Sequence, residues 1–220
     1  MAPPVKPRRR AYYSPLRADQ AQQTRRRILE AARELFGERG YAGTTVAAVA
    51  EAAGVSPETV YLSAGSKRGL LVGVMDITGP QESAVEDEEW WDRVAELPTA
   101  ADRLDSMVEY SCRIMARTAR VHAIIRGAAD KEAFAADLGR RLLQERLANQ
   151  TDRIRRYVGG ELRPGLSVGE AGQRYCALAS PDLYHVLTRQ MGWTADHFRR
   201  WLTDLVRNDL LGPARGVTPR

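Results

Sequence analysis

Between residues 24 and 74 apolar side chains recur at three- and four-residue intervals, a spacing that confines the segment to short amphipathic helices. Ile28, Leu29, Ala32, Leu35 and Phe36 share one helix face, starting near Thr24, while Arg25, Arg33 and Glu34 fall off it. Gly40 supplies a C-terminal stop. Thr44 and Thr45 offer an N-cap ahead of Val46, Val49 and Ala50, a short second helix that ends before Gly54. Gly54 and Val55 form a turn. Ser56 then caps a third helix over about Pro57 to Leu62, with Pro57 at the first position, where its missing N–H costs nothing. Ser66 caps a fourth helix carrying Leu70, Leu71 and Val74 on one side. Helix, short helix, glycine turn, short helix is the layout of a helix-turn-helix, whose second member enters the major groove of DNA.

Charge is distributed to match. Residues 1 to 27 hold eight basic residues against one acidic, a net of +7, and the whole chain carries +5, so the remainder sums to −2. A polyanionic partner would therefore meet the N-terminus. Pro3, Pro4, Pro7 and Pro15 and a low apolar content make residues 1–19 a basic arm, disordered until bound. The arginine total carries less weight, because lysine occurs only at Lys6, Lys67 and Lys131, a bias that codon composition accounts for. The N-terminus lacks the apolar stretch of a signal peptide and no apolar run is long enough to span a bilayer, which places the protein in the cytoplasm with no membrane partner. Cys112 and Cys176 are too few for a disulfide framework and read as reduced, packed thiols.

The text of residues 25–71, RRRILEAARELFGERGYAGTTVAAVAEAAGVSPETVYLSAGSKRGLL, resembles the TetR family of repressors nearly end to end. The resemblance rests on ILEAARELFGERGY in the first helix, TTV opening the second, AEAAGVS at the turn, TVY in the recognition helix and SK starting the fourth, all in order. It departs where the family places aromatic or histidine side chains and this chain has Ser63 and Ala64, and where Arg68 replaces a common acidic residue. Thr44 and Thr45, at a helix N-terminus, suit a phosphate. Ser56, Pro57, Glu58, Thr59 and Leu62 are candidates for base edges, with Glu58 equally able to complement its own helix dipole. The resemblance implies that Tyr61 packs its ring and sends its hydroxyl to the backbone, that Lys67 binds phosphate, and that Ser63 stands in for a phosphate donor. Gly69 and Gly73 allow either hinge motion or the close approach of a neighbouring helix.

Beyond residue 80 the pattern is all helical, with segments near 101–118, 121–128, 131–157, 167–191 and 194–211. The acidic stretch through Glu82 and Glu86 to Glu89 reads as a solvated linker before Trp90 and Trp91. Pro181 marks a kink or a helix start. The resemblance implies that two late helices from each subunit build a homodimer, and Tyr175, Leu183, Leu187, Phe198, Trp201, Leu202 and Leu205 suit that role or an ordinary intrachain core. It also implies a cavity for an unidentified small-molecule effector, with the fourth helix swinging the reading heads apart on binding. Trp90, Trp91, Met107, Tyr110, Ile114, His122, Phe134 and Tyr175 have the chemistry to line it, or to be plain core.

The expected architecture is all-α, with the basic arm at 1–19, a DNA-binding domain at 20–79, a regulatory and dimerisation domain at 80–212 and a flexible tail at 213–220. The expected function is a ligand-responsive repressor binding a palindromic double-stranded operator as a homodimer, without cofactor or metal. The alternative is an architectural or protein-responsive DNA binder. An enzyme is disfavoured: no lysine follows the glycines near Thr44, and the three histidines lack metal-ligand spacing.

Overall fold

Two long helices frame the molecule. In the computed structural model, which describes residues 15–78 and 84–212, α6 (Ala100–Ala129) spans 30 residues and α7 (Ala133–Tyr157) returns antiparallel to it. At about 1.5 Å per residue, α6 is roughly 45 Å long. The head is built from α1 (Pro15–Gly43), α2 (Val46–Ala53), α3 (Pro57–Ala64) and α4 (Lys67–Thr78). The body continues with α5 (Ala84–Glu96), α6 and α7, then α8 (Val168–Leu178), α9 (Pro181–His185) and α10 (Ala195–Leu210). No strand occurs among the described residues, so the all-α expectation holds.

Helix α1 starts at Pro15 rather than near Thr24. A first-turn proline is compatible with a helix because its N–H has no intrahelical acceptor there. Residues 15–19, expected in the disordered arm, are thus helical, while the rest of the arm (1–14) and the tail (213–220) lie outside the described residues. Gly40 breaks α1 with φ 71° and ψ 169°, a conformation open essentially to glycine alone. Gly54 caps α2 in the left-handed region, and its N–H reaches the carbonyls of Ala50 and Glu51.

The segments expected at 101–118 and 121–128 are one helix. Val121, Ile124, Ile125 and Ala128 extend the buried stripe of α6, and this burial offsets the roughly 1 kcal/mol that Gly127 costs relative to alanine. The segment expected at 167–191 is split instead. Ser180 caps α9 through the Asp182 N–H at 3.2 Å, Pro181 starts that helix, and a π-helical turn, Val186–Gln190, follows. Of the acidic stretch expected as a linker, residues 86–89 lie within α5 instead, and Trp91 of that helix stacks on Tyr157 at 5.3 Å and meets Tyr110 at 4.9 Å.

Two apolar clusters hold the fold, and α6 belongs to both. The first gathers Ile28, Leu29, Phe36, Val49, Val60 and Leu71 of the head with Val121 and Ile125 of α6 and Leu138 of α7. The second gathers Leu104, Met107 and Val108 of α6 with Ile154, Tyr175, Phe198, Leu202 and Val206. Asp105 of α6 receives a bidentate pair of hydrogen bonds from Arg207 of α10, which closes the far end.

Close approach fixes α4. A Cβ at Gly69 would lie 1.8 Å from the carbonyl oxygen of Ala64, and one at Gly73 would lie 2.7 Å from Cδ2 of Leu29. Both glycines therefore serve helix packing, the second of the two alternatives above. Gly69→Ala must displace backbone, so it should cost about 1–3 kcal/mol in urea unfolding. Gly73→Ala meets only a side-chain tip and gains about 1 kcal/mol of helix propensity, so its loss should be clearly smaller. Equal losses, or a stabilised Gly69→Ala, would contradict this account.

Candidate nucleic-acid interface and cavity

The recognition helix presents one face to the core and the other to solvent. Val60 is buried against the head, whereas Pro57, Glu58, Tyr61 and Leu62 are exposed, Leu62 by 84% and Tyr61 by 52%. An 84% exposed leucine on a short helix contributes nothing to the head's own packing and offers an apolar contact for a base or sugar. Ser56 begins the helix by accepting from the Thr59 N–H at 3.2 Å, and its Oγ lies 2.9 Å from Thr59 Oγ1. Glu58 occupies the first turn of α3, where its charge complements the helix dipole while its side chain stays exposed.

The two threonines before α2 part company. Thr45 is exposed and accepts from the Ala48 N–H at 3.1 Å, which leaves its own hydroxyl proton free for a phosphate oxygen. Thr44 is 1% exposed, and its hydroxyl faces the carbonyl oxygens of Leu35 at 3.0 Å and Gly40 at 2.9 Å. Thr44 therefore cannot reach a phosphate. Its hydroxyl instead braces the chain on either side of the break at Gly40.

Lys67 stands at the start of α4, with Nζ 4.5 Å from the Tyr41 ring centroid and donating to the Ala42 carbonyl at 3.3 Å. The Tyr41 ring in turn meets Phe134 of α7 at 5.4 Å, and the Arg68 guanidinium lies 4.5 Å from the Phe134 centroid. That stacking gives Arg68 a place where the family commonly has an acidic residue. Tyr61 departs from its expected role, since its ring is half exposed at the outer face of α3 rather than packed. Ser63 is tied down through its carbonyl, which accepts from Arg25 of α1. Arg25 and Tyr41 were missing from the sequence-based set. A stretch of three arginines beside the first helix carries no signal for which one folds back, and Tyr41 enters only as the last residue of the first-helix motif.

A second feature lies in the body. A cavity of about 220 Å³ opens among α6, α7 and the α8–α9 junction. Of the eight residues expected to line it, Tyr110, Ile114 and His122 do, and Trp90 and Trp91 do not. Met107 and Tyr175 belong to the second core instead, with the Tyr175 hydroxyl 3.0 Å from Ser111 Oγ and burial pushing its ionisation upward. Phe134 sits at the head end of α7, packed on Tyr41, because that is where α1 and α4 cover α7. Ser111, Met115, Leu142, Arg146, Gln150 and Arg153 are among the further lining residues that the sequence does not single out. His122 is held neutral: burial first, then the Arg146 charge, pushes its imidazole down to about 4. Burial likewise pushes the Cys112 thiol up to about 12, and both cysteines are free and buried.

Of the residues expected at a subunit contact, Tyr175, Phe198 and Leu202 are fully buried inside this chain and cannot meet a partner, and Leu187 is nearly so. The stripe on α10 faces its own core first. Leu183, Trp201 and Leu205 remain partly exposed.

The sequence profile of the bacterial regulatory proteins of the tetR family matches residues 28–74, spanning α1 to α4 as built above. The head is a TetR-family domain. The HTH-type transcriptional regulator TtgR of Pseudomonas putida is 32% identical over 113 residues, 49% of this chain and 51% of TtgR, so the chain spans about half the length of that relative. The crystal structure of NalD, the secondary repressor of the MexAB-OprM multidrug efflux pump in Pseudomonas aeruginosa, superposes with a TM-score of 0.67 at 21% identity, over 87% of this chain and 98% of NalD. FadR of Bacillus subtilis in complex with stearoyl-CoA superposes at 0.62 and 19% identity, over 83% and 97%. At these identities the two structures show a common fold for the TetR-type head and its helical body. Among the described residues no helix is long and apolar enough to cross a membrane.

Thr44→Val should lower stability by about 1–3 kcal/mol by removing the single buried hydroxyl proton shared by the Leu35 and Gly40 carbonyls, while Thr45→Ala should cost about 1 kcal/mol as a lost cap and also weaken DNA binding. Thermal melts beside gel-shift titrations separate the two. His122 supplies a pH signature. Its native imidazole stays neutral while the unfolded chain's gains a proton below its ordinary value of 6.5, so this group's contribution is intact above pH 6.5 and is lost as pH falls toward 4. Melting temperature followed across that window should fall less steeply for His122→Asn, by an amount equivalent to about 1–3 kcal/mol, and parallel curves would refute the assignment.

Proposed function

We propose that this chain is a ligand-responsive transcriptional repressor that binds a palindromic DNA operator as a homodimer and acts in the cytoplasm. The observation that carries the reading is the recognition helix, anchored on Val60 and open along Pro57, Glu58, Tyr61 and Leu62, with Thr45 exposed at the start of α2 and Lys67 at the start of α4. Side chains on that face reach base edges in a major groove about 12 Å wide, and Thr45 and Lys67 supply phosphate contacts that fix its register. The basic N-terminal sequence adds non-specific attraction. TtgR and NalD are described as a regulator and a repressor, which favours regulation over catalysis for this chain as well.

One short helix reads few bases, so specificity calls for two copies. The partly exposed Leu183, Trp201 and Leu205 offer the apolar surface for a two-fold pairing through α9 and α10. The cavity beside α7 is the effector site of this reading, and FadR, solved with stearoyl-CoA, is a neighbour that holds a ligand. An effector can release DNA only by its differential affinity for the two arrangements of the heads.

Selection of random duplexes by the purified protein should return inverted half-sites about 10–10.5 base pairs, or a multiple, apart. Binding without sequence preference would reject the reading in favour of an architectural role. Lys67→Gln should weaken binding to all sequences and flatten the salt dependence by about one counterion, whereas Leu62→Ala should alter preference at particular bases. Trp201→Asp should shift the protein toward monomer in light scattering and reduce operator affinity together.

A further inference from the structure

Helix α7 carries six arginines along its described length, and they fall into two groups. Arg140 and Arg141 pair with Asp137, and Arg155 and Arg156 pair with Asp152, all on the solvent side. Arg146 and Arg153 line the cavity and take no carboxylate partner among the described residues. Arg153 is held by stacking, its guanidinium 4.3 Å from the Trp91 ring and 4.8 Å from that of Tyr110. Arg146 has no such support: its Nε is buried with no hydrogen-bond partner. One turn on, Gln150 is 6% exposed and lines the same cavity, and no described residue hydrogen-bonds its carboxamide. A buried charged donor without a partner, as at Arg146, is rare and costly.

We propose that the cavity binds a small monocarboxylate, its carboxylate received by Arg146 with Gln150 beside it, and its apolar body against Ile114, Met115 and Leu142. This rests on the reading of the cavity as the effector site. The guanidinium fork matches a carboxylate in two parallel hydrogen bonds, which a neutral amide cannot reproduce. Glu145 also lines the cavity, but it is exposed and forms no ion pair with either arginine among the described residues. A neutral His122 leaves the arginines as the charge inside. At about 220 Å³ the space is below the ~300–1,000 Å³ typical of drug-sized sites, which favours a compact acid over a long-chain or multi-ring ligand.

The test titrates butyrate, octanoate, benzoate and phenylacetate, each beside its primary amide, into the full chain by calorimetry and thermal shift. At least one acid should bind, its amide about tenfold or more weakly. Arg146→Gln should erase that preference, and Arg146→Lys should keep part of it. The proposal is overturned if amides bind as well as acids, if none of the four acids binds, or if Arg146→Gln binds undiminished. Should Arg146→Gln fail to fold, the acid-to-amide ratio on the unaltered protein decides. The same acids are then added to the protein on its selected operator. An acid that binds but leaves DNA bound upholds the carboxylate site and defeats ligand-responsive release, and failure to recover any operator defeats the regulator reading without touching the calorimetric result.

Discussion

The structure depends on one stripe of side chains along α6. Leu104, Met107 and Val108 at one end close the body, and Val121, Ile124, Ile125 and Ala128 at the other complete the interior of the head. A helix of eight residues, such as α2 or α3, is too short to be stable alone, so the head's short helices exist because tertiary burial holds them. Part of that burial comes from α6 and α7. The DNA-reading geometry is therefore set by the same helices that wall the cavity.

This arrangement gives a physical route between the two features. Helix α7 places Leu142, Arg146 and Gln150 in the cavity wall and Phe134 under Tyr41, which in turn faces Lys67. Helix α6 bears Arg120, which donates to Glu34 of α1 at 2.8 Å and lies so close to Gly37 that a Cβ there would sit 2.2 Å from its Nε. The junction thus combines an ion pair, an aromatic ladder and a shared apolar interior. Packed interfaces of this kind move between discrete arrangements rather than bending smoothly.

Most of the head was legible in sequence because its punctuation is chemical: Gly54 at the turn, Ser56 and Pro57 at the start of α3, Ser66 ahead of α4. What sequence could not resolve were choices made by the backbone of another element. Two adjacent threonines present identical chemistry, and only the course of the chain through Gly40 sends Thr44 inward and Thr45 outward. A stripe such as Phe198, Leu202 and Val206 reveals that one face is covered, yet says nothing of whether the cover is intrachain or a second subunit. The unpaired arginines of the cavity were invisible for a related reason, since pairing is a property of three-dimensional proximity and the arginine-rich composition masks it.

The shared interior has a consequence for how the chain can be divided. Cut away from α6 and α7, the first four helices would present Leu29, Phe36, Leu71 and Val74 to water over much of their inner face. The reading head is thus not a cassette that can be excised or grafted onto a foreign partner without carrying the upper halves of two further helices with it, and transplantation at the apparent boundary near residue 79 would yield a sticky, misfolding fragment.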